Sequence, residues 1–363
     1  MRLRRITLHH LRNLAPLTLT LGSRLHFIIG SNAQGKTSIL EAMGFVTALR
    51  SFRTHDARLM ITHGQSEAAI GIEMEHERQG ETRVVIRLRG GTKEVTVDDE
   101  RVTRLGDFLG KFPTVVFSSQ DQQLLRGSPT GRRRWLDLTL AAMDPSYLAA
   151  LQGYHRALAG RNALLKRAAN ESEIAAFEHP LAQQGAWLMA ARAEGLRHLA
   201  EQLQRAYLRI APTGAEERVG FQYAPDLELK GEAALRELWA SRRARDVQFR
   251  STLQGPHRDD FEFTLAGKLA RDVASEGQQR TLVLALRLAQ ADWFLLKSGV
   301  APVILADDVL GELDDTRRAG FWSALPSDWQ VIATGTRLPD TEPAAWTVHT
   351  VVGGRLEGSA ETL

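Results

Sequence analysis

The 363-residue sequence contains no cysteine. That excludes a disulfide framework, a cysteine-ligated zinc site and a thiol nucleophile, and it fits a reducing compartment. No run approaches the roughly 18–20 apolar residues that a membrane span needs, so no membrane partner is expected. The opening MRLRRITLHHLRNL is basic but lacks a continuous apolar stretch, which makes it a poor secretory signal. A cytoplasmic protein is the expectation. Internal repeats and low-complexity tracts are missing as well, and the 11 histidines are scattered without metal-ligand spacing.

What is present is ordinary globular composition with charge unevenly placed. Net charge is +3, yet the first 60 residues hold nine Lys/Arg against only Glu41 and Asp56. Such asymmetry fits either an anionic partner for this region or a solvated basic face.

Short apolar or alternating runs at Arg4–Leu8, Leu17–Leu21, Leu25–Ile29, Ala68–Glu75, Thr82–Leu88, Glu94–Val97 and Thr114–Phe117 predict strands. Ser38–Leu49 has helical spacing. From Arg132 to about Ala211 the chain is rich in Ala, Leu, Arg and Gln at helical spacing, and a second helical piece spans about Glu232–Arg250. Gly153, Gly160 and Pro180 break the heptads too often for a long coiled coil. Leu253–Leu265 reads as loop plus strand. Leu282, Leu286, Ala289, Trp293 and Leu296 mark one face of a helix over Gln278–Lys297, and Val303–Ala306 and Gln330–Ala333 are further buried strands.

Gly30, Ser31, Asn32, Ala33, Gln34, Gly35, Lys36 and Thr37 match G-x-x-x-x-G-K-[ST] in full, with an apolar strand before and a helix after. Glycines there let successive N–H groups point at phosphate oxygens, and the helix adds its positive end. This predicts a site for a nucleoside triphosphate. Lys36 reaches the β and γ phosphates, Thr37 holds Mg²⁺, and Ser38 continues the cradle. The run VILADD ends a buried strand in two acids. Asp307 is the candidate Mg²⁺ carboxylate, and Asp308 is placed to polarise the attacking water.

Before the 278–297 helix stands ASEGQQR, residues 274–280. Ser275, Gly277 and Gln278 there read either as an N-cap with a capping box or as an anion site at a helix end. S-x-G-Q before a helix, followed by an apolar strand and two acids, resembles the signature motif of ABC-type ATPases. Gly311-Glu312-Leu313-Asp314-Asp315 resembles the D-loop that follows it. LRNL (11–14), GSNAQGKTSILEA (30–42), RSFRTH (50–55), RRRWLD (132–137), QGPHRDDF (254–261), SEGQQRTLVLALRLAQ (275–290) and DDVLGELDDTRR (307–318) together resemble the RecF family, bacterial DNA-repair ATPases related to SMC heads.

The resemblance implies an α/β fold: an ABC-type head with mixed sheets, plus a mainly helical second lobe. Lobe I would comprise 1–122 and 299–363; lobe II, 123–298, would carry the signature. It further implies a slow ATPase stimulated by DNA and an ATP-dependent homodimer, in which Ser275 and Gly277 of one subunit meet the γ-phosphate held by Lys36 of the other. Double-stranded DNA, single/double-strand junctions, RecR and RecO would be partners, in gap repair, replication restart and SOS induction. An SMC-like structural head and a transporter ATPase subunit are the alternatives.

Some positions depart from the family pattern. Gln120 follows serine where relatives often have Pro-Glu, and is the remaining candidate on the metal. Gly311 replaces the usual D-loop serine. No histidine follows the last core strand, where Thr334 or Thr336 is the substitute. Arg50, Arg53, Arg132, Arg133 and Arg134 are the candidates for DNA phosphates; Arg133 or Arg134 pairing with nearby acids, and Arg53 serving the nucleotide or the dimer, are the other readings.

Overall fold

Alternation, or the lack of it, divides the strands into two kinds. The computed structural model describes residues 1–54, 56–211, 217–228, 231–338 and 345–360; His55 of the RSFRTH stretch lies outside them. The described chain forms two compact units, one of Met1–Gln122, Gln202–Glu216 and Glu276–Leu363, the other of Gln123–Glu201 and Glu217–Ser275.

In chain order the first unit begins with β1 (Arg2–His9), β2 (Leu17–Thr20), β3 (Leu25–Ile29) and helix α1 (Lys36–Ala48). Then come β4 (Glu67–His76), β5 (Gly80–Arg89), β6 (Thr92–Val97), β7 (Glu100–Arg101) and β8 (Thr114–Ser118). The second unit contributes α2 (Gln123–Arg126), α3 (Pro129–Met143), α4 (Pro145–Lys166), most of α5 (Glu171–Ile210), β9 (Val219–Ala224), α6 (Glu232–Phe249), β10 (Asp260–Leu265), β11 (Lys268–Leu269) and α7 (Ala270–Val273). The chain returns with α8 (Glu276–Ser298), β12 (Val303–Asp307), α9 (Asp315–Ala324), β13 (Val331–Gly335), β14 (Thr347–Val352) and β15 (Arg355–Ala360).

One sheet of the first unit has the order β2-β1-β4-β5-β6-β7, all antiparallel. In β4 and β5 burial alternates, with Ile70 facing Ile86 and Ile72 facing Val84, as expected when one face is packed and the other is wet. The other sheet, β15-β14-β3-β13-β12-β8, is parallel except for β15. Every residue of β12 and β13 is buried, the continuous apolar signature of strands covered on both faces. Helix α1 supplies Ile39, Met43, Phe45 and Val46 to the same apolar core as Ile6, Ile70 and Ile86 of the antiparallel sheet and Leu305 and Ile332 of the parallel one.

Helix α8 starts two residues before the predicted Gln278, and its buried face is broader than the predicted stripe. Leu296 lies outside that face at 67% exposure, while Lys297 Nζ sits 4.6 Å from the Trp293 ring centroid. The compact units also place α8 with the sheets, against β8, where the expected lobes grouped it with the helical segment.

In the second unit α5 runs 40 residues, about 60 Å at a helical rise, straight through Pro180. A side chain at Gly160 of α4 would collide with the Phe177 ring of α5, so this glycine permits the close approach of the two helices. No long coiled coil forms among the described residues. The sheet β11-β10-β9 is antiparallel, and Phe261 of β10 packs on Trp135 and Phe221.

Candidate nucleotide site

The first unit has an open cleft of about 970 Å³ along the turn between β3 and α1. Gly35 closes this turn at φ 106°, and Ala33 also has a positive φ of 64°. A side chain at 35 would run into Leu14. Alternation of right- and left-handed backbone curls the N–H groups into an anion-binding concavity. Gly35 gives α1 no side-chain cap, which leaves the positive end of the helix facing that hollow.

Around the turn, Asn13 donates to the Ala33 carbonyl at 3.0 Å and accepts from Ser38 Oγ at 3.4 Å, while Gln34 Oε1 accepts the Gly353 amide at 2.5 Å. The LRNL stretch thus braces the phosphate loop. Lys36 is 6% exposed, and its Nζ donates to the carbonyls of Gly30 at 2.7 Å and Ser31 at 2.9 Å. An ammonium has three donors, so one is left for a ligand. Ser31 through Ser38 otherwise form the wall and floor of the turn, with Asn32 to Ser38 lining the cleft.

At the C-terminal ends of the parallel strands the register pairs Asp307 with both Ser118 and Thr334. Asp307 Oδ1 accepts from Thr37 Oγ1 at 2.9 Å and from Thr334 Oγ1 at 3.0 Å. Burial raises its pKa; the two hydroxyls oppose that rise, and neighbouring Asp308 adds to it. Asp308 is exposed on the cleft, its amide donating to Thr334 Oγ1 at 3.1 Å. Its φ of 57° is an uncommon, costly conformation for a non-glycine residue and is typical of functional turns. Of the two threonines, Thr334 lies on this cluster, whereas Thr336 is exposed beyond β13.

The site fits ATP through the curled turn, the uncapped helix and the unspent Lys36 donor. Among the described residues no group of three or more His, Asp or Glu could hold a metal. A Mg²⁺ ion would therefore rest on Thr37 and Asp307 and complete its shell from phosphate and water, as this cation commonly does.

Other predicted residues fall elsewhere. Gln120 is exposed, in the turn after β8, and donates its amide to Ser118 Oγ at 3.3 Å; it does not line the cleft. Gly277 and Gln278, in the first turn of α8, do not line it either, and Ser275 is exposed. Arg53 lines the cleft and pairs with Glu41 at 3.3 Å; Arg50 is exposed.

Arg132 corrects the DNA reading. It is 3% exposed, grips Asp260 through Nε at 2.8 Å and Nη2 at 2.7 Å, and donates to the Gly127 carbonyl at 2.8 Å. Its donors are consumed inside its own unit. Arg133 is half-buried on the Asp259 carbonyl at 2.7 Å, and Arg134 is also partly covered.

Sequence reasoning missed the residues that hold the cleft in shape. Glu41 is fully buried and takes Arg12 bidentately at 2.7 and 3.0 Å, with Ser51 as a further donor. An acid between Leu40 and Ala42 on an apolar helix was the available signal. Outside the cleft lining, Asp121 braces the turn after β8, accepting from Arg287 Nε and from the Ser118 amide, each at 3.0 Å.

Fold and site together define the class: this is an ABC-type ATPase head. The chain matches the RecF/RecN/SMC N-terminal domain family over residues 2–351, and it belongs to the RecF family. It is 37% identical to the DNA replication and repair protein RecF of Symbiobacterium thermophilum, over 92% of this chain and 91% of that one. Identity with the RecF of Thermosynechococcus vestitus is also 37%, over 93% and 91%. A solved structure described as recombination mediator RecF-ATP of the RecFOR pathway superposes with TM-score 0.89 at 28% identity, covering 99% of this chain and 97% of the other. The Smc head domain of Pyrococcus furiosus shares the fold at TM-score 0.55 and 16% identity, over 99% and 96%. No helix among the described residues is long and apolar enough to cross a membrane.

Proposed function

We propose that this chain is a slow, DNA-stimulated ATPase of DNA repair, in which two copies close on two ATP molecules and clamp double-stranded or gapped DNA. The observation that carries this reading is the division of the machinery. The phosphate loop, Thr37, Asp307, Thr334 and Asp308 meet in one cleft, while Gly277 and Gln278 stand away from it. Ser275, Gly277 and Gln278 then serve the ATP of a second copy.

Lys36 and the loop amides bind the β and γ phosphates. Mg²⁺ supplies neutralisation of charge between those phosphates when bound. Thr37 and Asp307 would hold it, Thr334 fixes Asp307, and Gln120, outside the cleft in the single chain, is the further proposed contact. Asp308 orients the attacking water and draws on its proton, so catalysis is positioning plus electrostatics. Hydrolysis opens the dimer and releases DNA.

Arg50, Arg53, Arg133 and Arg134 are the proposed phosphate contacts, without sequence preference. RecR and RecO are the proposed partners, at single/double-strand junctions in gap repair, replication restart and the SOS response, in the cytoplasm.

The test is the ATPase rate over a range of protein concentrations, with and without gapped duplex. A specific rate that climbs with concentration and with DNA supports the clamp; a rate indifferent to both sinks it. In the same assay Lys36→Ala abolishes nucleotide binding and dimerisation, and unchanged affinity overturns the phosphate-loop assignment.

A further inference from the structure

Gly277, in the first turn of α8, is covered within its own unit. A side chain built there collides with the guanidinium of Arg317, from α9. Arg317 Nε donates to Thr281 Oγ1 at 3.0 Å, and that hydroxyl donates in turn to the Gly277 carbonyl at 3.0 Å. The same guanidinium pairs with Asp314, whose carboxylate caps α9 by accepting the Arg317 amide at 2.9 Å. Arg317 is 19% exposed and Asp314 49%. One arginine thus ties the turn that opens α8 to the acidic loop that follows Asp308.

We propose that Arg317 is a positioning residue of the composite ATP site, and that residue 277 is glycine to let this guanidinium lie on the turn. The inference rests on the two-copy reading above. A planar, always-charged fork with fixed donor directions suits the task, because it can hold a hydroxyl and a carboxylate at once. Its consequence is mechanical: the surface offered to a second copy's ATP and the loop after Asp308 move as one piece. Substituting Arg317 disconnects them without touching the phosphate loop.

The experiment is a double-mutant cycle of Arg317→Ala and Gly277→Ala in the full chain, reading specific ATPase rate against protein concentration, with ATP affinity at low concentration as a second readout. Arg317→Ala lowers turnover at high concentration by about tenfold, the effect of losing charge-assisted hydrogen bonds, and leaves low-concentration ATP affinity unchanged. Gly277→Ala pushes the guanidinium aside and causes a similar loss. If Gly277→Ala acts through the Arg317 contact and not by crowding the second copy's ATP, the double variant is no worse than either single one. Arg317→Lys, which keeps charge but not the fork, recovers only part of the rate.

Three results overturn the proposal: a neutral Arg317→Ala, weakened ATP affinity at low concentration, or losses that multiply in the double variant. The last would mean that residue 277 is glycine for whatever meets it from outside. A wild-type rate independent of concentration is a separate outcome and sinks the two-copy reading itself.

Discussion

In the unit built around the cleft, the buried charges Lys36, Glu41 and Asp307 sit beside the phosphate loop. In the unit that begins at Gln123, Arg132, Arg161 and Arg192 are sunk among acids, and none of them lines that cleft. Arg161 is fully buried between Asp246 at 2.7 Å and Glu178 at 3.2 Å. Arg192 holds Asp137 through Nε and Asp259 through Nη1, each at 3.0 Å. Burying a charge costs several kcal/mol unless it is well paired. One unit meets that cost where phosphate chemistry needs the charge, and the other where distant segments must be held in register. RRRWLD and GPHRDDF belong to the second case: Arg132 grips Asp260, Arg133 the Asp259 carbonyl, and Asp137 meets Arg192.

Substitutions should separate the two uses of charge. The largest effect is expected for Asp308→Asn. Losing the group that orients water and draws on its proton should slow turnover by about 10²–10³-fold while ATP binding persists, so that dimers accumulate in sedimentation. Normal turnover would assign the water to another residue. Arg161→Ala should do the reverse. It leaves Asp246 buried without an arginine, while Glu178 keeps Arg243 at 2.6 Å. The cost is about 3 kcal/mol, measured by urea unfolding of the second unit's transition. A loss below 1 kcal/mol would show that Asp246 finds another partner.

Acid should strike both units. His26 of β3 and His349 of β14 face each other, Nδ1 to Nε2 at 3.0 Å, and burial together with His349 lowers the His26 pKa to about 4. His257 is likewise lowered to about 4 by burial, with Nε2 on the Thr252 carbonyl and Nδ1 against the Tyr154 hydroxyl. Each folded pKa lies below the unfolded value near 6.5. The unfolded chain therefore takes up protons first, and stability is lost as pH falls from about 6.5 towards 4. Each group contributes about 3 kcal/mol to that loss. His26→Gln should flatten the first unit's pH dependence and His257→Gln the second's. A smaller effect distinguishes the arginines: Arg50→Ala should reduce the salt slope of DNA binding by about one without changing stability.

Contiguous chemistry was legible in the sequence. The phosphate loop and VILADD each carry their residues on adjacent positions, and both met in one cleft because strand ends in a parallel sheet converge. Strands with clean periodicity were also readable: Leu25–Ile29 was placed to the residue. Among the elements that escaped were β9, β14, β15 and α9, where short or polar segments gain their structure from neighbours. The destination of Arg132 escaped for a related reason. A run of three arginines looks alike whether it meets phosphate or Asp260, and the partner lies far along the chain. Pairing of this kind is a property of the folded unit.

Gly311 offers the finest discrimination. It is exposed, and a side chain there meets nothing within 4 Å; nor does it have the positive φ that would call for glycine. The fold of the unit thus imposes no glycine at 311, and Gly311→Ser should leave stability within about 0.5 kcal/mol. Any change must come from what the new hydroxyl meets on a second copy. One added hydrogen bond of ordinary strength would lower the protein concentration for half-maximal turnover by about threefold, with turnover in the closed state unchanged. An unaltered concentration profile would place this loop outside the contact between copies. A loss of stability instead would show that the loop after Asp308 needs glycine's freedom, and would move Gly311 from the functional to the structural side of the comparison.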